Sequence, residues 1–213
     1  MGLLSTLLGR TKPVQSDLDA LFALPSASIT LQSAAGMSCS GHAGVCFKPP
    51  TGQGFEDMQA EVVKLLSMDG AGGFRKAEDA YGYHWLVIED SDIEELVTRV
   101  HMVNSSLADS GWGPQLLCSV FGIAELPADA AGPAQPTEAG SLPERTAGPG
   151  QVIASTAFLV YLFKRGTFYP FVPEGHEQRN IERELQLKSL VADDLVVEPE
   201  LDRWFPLWDL PVG

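Results

Sequence analysis

Residues 158–172 read FLVYLFKRGTFYPFV, two apolar runs that are separated by the short turn Lys164-Arg165-Gly166. Apolar runs on either side of a tight, glycine-containing turn predict a β-hairpin, and therefore an antiparallel sheet. Pro170 has no amide hydrogen to donate to a further strand. The second arm of the hairpin is therefore expected at an edge of the sheet.

A long stretch rich in proline, alanine and glycine precedes this hairpin and has strand-like sequence on both sides. Residues 115–125 (QLLCSVFGIAE) come before it and residues 151–164 (QVIASTAFLVYLFK) follow it. The stretch itself, residues 126–150, contains no aromatic residue. Its composition buries too little apolar surface to offset the entropic cost of ordering. We therefore predict a flexible insertion at 126–150 within a single domain that covers residues 1–213.

The remaining apolar patterns predict further helices and strands. Ser91-Asp92-Ile93-Glu94 is a capping box, and apolar residues at helical spacing follow it up to Leu107. The other predicted elements are a short helix capped by Ser16 and ending before Pro25, strands at 27–32, 44–48 and 81–88, and helices within 55–66 and 181–191. Together they predict an α+β fold, with a mostly antiparallel sheet of about six strands covered by about four helices.

Composition and charge restrict the class of partner. The chain has 213 residues, with 14 Lys and Arg against 28 Asp and Glu, a formal net charge of −14. This charge repels polyanions, so no nucleic-acid partner is expected. No apolar run approaches the roughly 20 residues that span a bilayer, which allows at most peripheral membrane contact. Three cysteines without CxxC spacing fit a reducing compartment. We expect a soluble, cytoplasmic protein.

Residues that could support catalysis or metal binding are scattered. Cys39, His42 and Cys46 are three possible metal ligands, to which Cys118 or His101 could add a fourth. Their spacing matches no standard zinc pattern, and a cysteine in an apolar strand packs as a small hydrophobe. We therefore predict no metal, no cofactor and no catalytic residues.

Two other motifs lack the context that their chemistry needs. Ser110 follows a helix, whereas the nucleophile elbow of hydrolases joins a strand to a helix. Gly70 to Gly73 also follow a helix, so we interpret them as a flexible turn and not as a phosphate-binding loop.

Two features favour recognition of another macromolecule. The hairpin places two cations beside aromatic rings in an acidic chain, and the tail at 203–208 (RWFPLW) is strongly aromatic. Such residues are common in interface hot spots, and an edge strand can accept a strand from a partner. The alternative is that the rings complete the core and the charges keep the turn in water. For the aromatic tail we expect packing against the body of the protein. The candidate partner-binding residues are Lys164, Arg165, Phe168, Tyr169, Trp204 and Trp208.

Several sequence blocks carry a family resemblance. They are LGRTKP at 8–13, LFALPS at 21–26, VNSSL at 103–107, GPQLLC at 113–118, YLFKRGTFYPF at 161–171 and RWFPLW at 203–208. In this order they resemble the PspA-associated protein family PspAB. The resemblance implies a soluble prokaryotic protein, typical of actinobacteria and some archaea, in the setting of PspA. PspA is the coiled-coil effector of the phage-shock response, and some relatives are also associated with an HtpX-like membrane protease. The family supplies no catalytic residues to carry over.

The leading hypothesis is a non-enzymatic accessory protein of the phage-shock and envelope-stress system, which binds PspA or an associated partner. A second hypothesis is a peptide-binding, chaperone-like domain linked to membrane proteostasis. A third is an uncharacterised enzyme or metal protein built around Cys39, His42 and Cys46.

Overall fold

The computed structural model describes residues 17–48, 60, 62–64, 73–125 and 156–212. The predicted insertion at 126–150, the cap Ser16 and most of the predicted helix within 55–66 lie outside the described residues. So do Gly70 to Gly72 of the predicted turn. The proposal of a single domain with an insertion therefore stays a prediction.

The described α-helices are α1 (Leu24–Ala35), α2 (Ile93–Leu107) and α3 (Ile181–Val191), and residues 60 and 62–64 are also helical. A 3-10 helix, Leu18–Ala23, precedes α1. The strands are β1 (Met37–Phe47), β2 (Gly73–Glu78), β3 (His84–Glu89), β4 (Leu116–Glu125), β5 (Ala157–Leu162), β6 (Thr167–Phe171), β7 (Pro173–Gly175) and β8 (Gln178–Arg179). No described helix combines the length and apolar character needed to cross a bilayer.

The main sheet has six strands in the order β2-β3-β1-β4-β5-β6, and every neighbouring pair is antiparallel. The α+β class, with about six antiparallel strands and about four helices, is confirmed. The hairpin at 158–172 is confirmed as β5 and β6, with Tyr161 opposite Phe168. Pro170 lies in β6, the edge strand, as its missing amide hydrogen requires.

Helices cover one face of the sheet, which we call the helical face. Its apolar side chains, such as Val45 and Phe121, form one core with Leu31 of α1 and Val100 of α2. Tyr161 also faces the helices, and its phenol donates a hydrogen bond of 2.8 Å to the carbonyl oxygen of Asp17. Burial of this face is the main apolar contribution to stability.

The C-terminal segment covers the opposite face, which we call the tail face. A second core forms there from residues such as Trp85, Cys118 and Val160, together with Trp204 and Val212 of the segment. The prediction that the aromatic tail packs against the body is confirmed for Trp204, whose side chain is buried. The sheet is therefore apolar on both faces, one closed by helices and the other by a tail without regular structure.

The predicted strand at 27–32 is wrong, because these residues lie in helix α1. Pro25 lies in the first turn of α1, where the missing amide hydrogen costs no intrahelical bond. The helix ends at Gly36, whose φ of 63° is the left-handed conformation that glycine favours at helix ends. Ala27 and Leu31 are buried at helical spacing, whereas Ile29 is exposed to solvent.

The boundaries of the neighbouring strands also needed correction. Residues 37–43, which precede the predicted strand at 44–48, also belong to strand β1, which begins at Met37. Strand β3 begins at His84, so Tyr81 lies in the preceding turn and not in a strand. Gly73 opens β2, a strand that was not predicted because most of its side chains are exposed and polar.

Helix α2 is confirmed, but its cap is one residue later than the motif indicates. Asp92 is the N-cap, and its Oδ1 accepts hydrogen bonds from the amides of Glu94 at 2.8 Å and Glu95 at 3.3 Å. Ser91 precedes the cap and is exposed. An aspartate is as good a cap as serine and also complements the positive end of the helix dipole.

Candidate functional site

A groove of about 620 Å³ lies on the tail face, between the sheet and residues 203–207 of the tail. We call it the tail groove. Strands β1, β3, β4, β5 and β6, the turn after β2, the β5–β6 turn and the tail all contribute to it. Its lining residues are Cys46, Asp79, Tyr83, Trp85, Leu117, Cys118, Leu162, Lys164, Arg165, Tyr169, Arg203, Phe205, Pro206 and Leu207.

The floor of the tail groove is apolar. Cys46 and Cys118 lie directly opposite each other on β1 and β4, and both are buried. Trp85 and Tyr169 extend the floor on either side as part of the same apolar core. A volume of this size with an apolar floor is typical of a binding pocket.

Interactions of Tyr169 and Trp204 fix the tail as the wall of the groove. The phenol of Tyr169 donates a hydrogen bond of 2.7 Å to the carbonyl oxygen of Phe205. The Trp204 ring stacks on Tyr169 with 5.9 Å between ring centroids, and its indole donates to the carbonyl oxygen of Glu198 at 3.1 Å. Phe205 itself remains 57% exposed beside the opening.

Three cations line the groove, but two of them are neutralised by neighbours. Arg165 binds both carboxylate oxygens of the buried Glu198, and Arg203 Nε lies 2.7 Å from an oxygen of Glu200. Lys164 is exposed, and its side chain forms no ion pair or hydrogen bond with another described residue. Of the three cations, Lys164 is therefore the one without a carboxylate partner among the described residues.

The pKa of Glu198 reflects this pairing. Burial raises the pKa of a carboxyl group, but hydrogen bonds from Arg165 and Thr167 favour the ionised form and outweigh burial. The Thr167 hydroxyl donates at 2.8 Å. The net result is a pKa of Glu198 below its ordinary value, so this carboxylate remains charged and keeps Arg165 in place.

The Cys46 thiol of the groove is a poor nucleophile. A hydrogen bond with Cys118, together with burial, raises the pKa of the Cys46 thiol above its ordinary value. Nucleophilic and metal-binding cysteines need the thiolate form, which a raised pKa disfavours. The pair therefore contributes apolar surface to the floor.

The other candidate catalytic and metal-binding residues do not come together. Cys39 packs against the helical-face core, whereas Cys46 belongs to the tail-face core, so one ion cannot contact both. The imidazole of His101 lies 3.6 Å from Asp19, and that of His84 lies 4.0 Å from Glu78. Within the described parts of the chain, no three His, Cys, Asp or Glu side chains are grouped to hold a metal.

The six predicted partner-binding residues do not share one surface. Phe168 is buried among the helices, 5.1 Å from the ring of Tyr161, while Tyr169 and Trp204 are buried on the tail face. For these three rings the structure favours the alternative of core packing. Trp208 is partly buried against Phe171. Lys164 and Arg165 remain exposed at the groove, and partner binding by any of the six stays a prediction.

The edge of β6 is not fully open to a partner strand. The amide of Phe168 donates to the carbonyl oxygen of Val196 at 2.8 Å, and its own carbonyl accepts from Glu198 at 2.7 Å. Val197 therefore pairs with Phe168 as a short parallel bridge. Part of the predicted edge is thus occupied by the chain itself.

Sequence reasoning missed the role of Asp79. Its Oδ2 accepts a hydrogen bond of 2.9 Å from the Trp85 indole, and its Oδ1 accepts from the amides of Tyr81 and Tyr83. The sequence Asp79-Ala80-Tyr81-Gly82 contains a signal for this turn. The side chain of an aspartate in a turn often accepts a hydrogen bond from the backbone amide two residues later. The predicted strand at 81–88 obscured that turn.

A family model described as PspA associated protein B (PspAB) matches residues 1–212. The chain belongs to the PspAB family. The resemblance read from the sequence blocks is thereby confirmed, and the family name records an association with PspA. No curated protein and no solved structure matches the chain. The description of the site therefore depends on the residues of this chain.

Proposed function

We propose that this PspAB protein is a non-enzymatic accessory protein that binds PspA or an associated partner in the tail groove. The observation that supports this most strongly is an apolar groove with one unneutralised cation, Lys164, at its opening, in a member of a family named for association with PspA. Apolar floors surrounded by polar rims are typical of protein-binding surfaces.

The proposal includes the cellular setting. A PspA partner belongs to the phage-shock and envelope-stress response, and an HtpX-like membrane protease would be a neighbour in the same system. A cytoplasmic location and an actinobacterial source also belong to the proposal. The excess of acidic residues indirectly supports a protein partner, because a chain with this charge is repelled by nucleic acids and by anionic membranes.

The chemistry of the groove supports a binding role over catalysis. The raised pKa of Cys46 disfavours a thiolate, and Asp79 already accepts three hydrogen bonds. The chaperone-like alternative requires an open sheet edge. It has less support because residues 196–198 pair with Phe168 on that edge.

The experiment is calorimetry of the purified full chain with the purified PspA of the same organism. The wild-type chain should bind, and Lys164→Glu should weaken binding at least about tenfold, because an unpaired charge at the contact is reversed. Lys64→Glu is the matched control, since Lys64 is exposed in the helical segment whose Val62 packs on the helical face. No heat of binding by the wild-type chain would refute PspA as the direct partner. If Lys164→Glu and Lys64→Glu bound PspA with equal affinity, the groove would not be part of the contact surface.

A further inference from the structure

A second cavity of about 450 Å³ adjoins the tail groove and shares Asp79, Trp85 and Leu207 with it. Its walls differ in chemistry, because aromatic rings and carboxylates dominate them. We call it the aromatic-acid cage. Its lining residues are Asp79, Tyr81, Tyr83, Trp85, Glu177, Pro206, Leu207 and Trp208.

The aromatic rings of the cage include two that are open to solvent. Tyr81 is 55% exposed and Tyr83 is 37% exposed, although large aromatic side chains gain most from burial. Trp208 forms the facing wall from the tail and is held there by an edge-on contact with Phe171, with 5.5 Å between centroids. All three rings line the cavity.

Glu177 closes the cage beside Tyr81. The phenol of Tyr81 donates a hydrogen bond of 3.2 Å to Oε1 of Glu177. Glu177 lies in the turn between β7 and β8, where both His176 and Glu177 have positive φ, 50° and 55°. Asparagine and glycine are favoured in this turn conformation, so the turn holds the backbone of His176 and Glu177 under strain.

The cage has a negative electrostatic environment. Loss of water contact raises the pKa of the Tyr81 phenol, and the hydrogen bond with Glu177 raises it further. The charges of Glu177, Asp209 and Asp79 act in the same direction. Two carboxylates, Asp79 and Glu177, therefore line one aromatic pocket in a chain whose formal charge is −14.

We infer that the aromatic-acid cage binds a cationic side chain, the guanidinium of an arginine or the ammonium of a lysine, on a protein partner. Cations are attracted to the faces of tyrosine and tryptophan rings, and nearby carboxylates add to that attraction. The inference deepens the proposed function and rests on it, because it states the chemistry that the bound partner must present.

An organic cation suits the cage better than a metal ion or an anion. Aromatic rings form most of its walls, whereas hard metal ions require several oxygen ligands. Asp79 is engaged with the Trp85 indole and two backbone amides, so its oxygens are oriented by the protein. An anion would be repelled by both carboxylates.

The test is an NMR titration of the full chain with a blocked peptide, acetyl-Gly-Ala-Arg-Ala-Gly-amide, monitored at the tryptophan indole N–H resonances. The arginine peptide should shift the Trp208 and Trp85 resonances in a saturable way. The same peptide with citrulline, which is similar in shape but uncharged, should bind at least about fivefold more weakly, because it has no charge over the rings. Equal shifts with both peptides, or no shift with either, would overturn the inference.

Variants distinguish a loss of binding in the cage from a loss of folding, and test the cage independently of the proposed function. Glu177→Gln should weaken binding of the arginine peptide at least about threefold, because one facing charge is lost. Glu174→Gln is the matched control, since Glu174 lies on the same hairpin and bonds Asn180 outside the cage. If Glu177→Gln binds the peptide and PspA as the wild type does, the cage inference is wrong while the proposed function stands. If the wild-type chain does not bind PspA, PspA is refuted as the direct partner whatever the peptide does.

Discussion

The hydroxyl of Tyr169 donates a hydrogen bond of 2.7 Å to the carbonyl oxygen of Phe205, which joins edge strand β6 to the tail. Tyr169 is buried, whereas Phe205 is exposed beside the tail groove. One bond therefore connects the core of the sheet to the wall of the proposed binding site. Loss of this contact should affect both stability and the position of the tail.

Tyr169→Phe should lower the free energy of unfolding by about 1–2 kcal/mol. The carbonyl of Phe205 would lose its donor at a partly buried position, and an unsatisfied group costs more than a hydrogen bond gains. Urea unfolding monitored by circular dichroism measures this change. Tyr83→Phe is the control, since Tyr83 is partly exposed and its replacement should change stability by less than about 0.5 kcal/mol. Equal effects of the two variants would contradict the role of the bond.

Glu198 should make the protein sensitive to acid. Its pKa is lowered in the folded state, so its contribution to stability is present above the unfolded value, about 4.3. That contribution is lost as the pH falls through the lower folded value. The gap in unfolding free energy between the wild type and Glu198→Gln should therefore be large at pH 7 and shrink towards pH 3. A gap that is independent of pH would show that the carboxylate charge is not what stabilises the fold.

Asp92→Ala should destabilise helix α2 by about 1 kcal/mol, because the amides of Glu94 and Glu95 would lose their acceptor. Ser91→Ala should have little effect, since Ser91 precedes the cap. Thermal unfolding of the two variants measures the difference. If Ser91→Ala were the less stable variant, Ser91 would be the N-cap, as the capping box in the sequence predicts.

Gly44→Ala should lower stability by about 1–3 kcal/mol through overpacking between β1 and the tail. A Cβ at Gly44 would lie 2.6 Å from Cγ2 of Val212 and 3.1 Å from the Trp85 ring. Gly113→Ala is the control, because the nearest atom to its Cβ would be 3.8 Å away. Urea unfolding compares the two, and a neutral Gly44→Ala would mean that the tail does not press on this face.

Local sequence patterns were sufficient to predict those elements whose buried residues recur at a regular spacing. Helix α2 has a cap and an apolar stripe, and Pro170 identifies an edge strand without reference to the rest of the fold. The pattern was misleading at 27–32, where Ile29 and Thr30 suggest a strand. Thr30 instead donates a hydrogen bond to Asp194 at 2.7 Å, and Ile29 faces solvent. Strand β2 was missed because an exposed edge strand has no apolar alternation to detect.

The candidate site depends on contacts that no local pattern encodes. The tail groove requires Leu207 to return across the sheet beside Trp85, although more than a hundred residues separate them in sequence. Lys164 and Arg165 were identified as exposed cations of the hairpin. The partner of Arg165, Glu198, and the role of Asp79 became visible only once the strands and the tail were in place.

The proposed function requires that the protein binds a partner in the tail groove. Hydrogen exchange of the full chain, measured with and without PspA, tests it most directly. A partner in the tail groove should slow exchange of the amides around Lys164 and of those of Phe205 and Leu207, with little change on the exposed surface of α1 and α2. Protection confined to those helices, or no protection anywhere, would contradict the account.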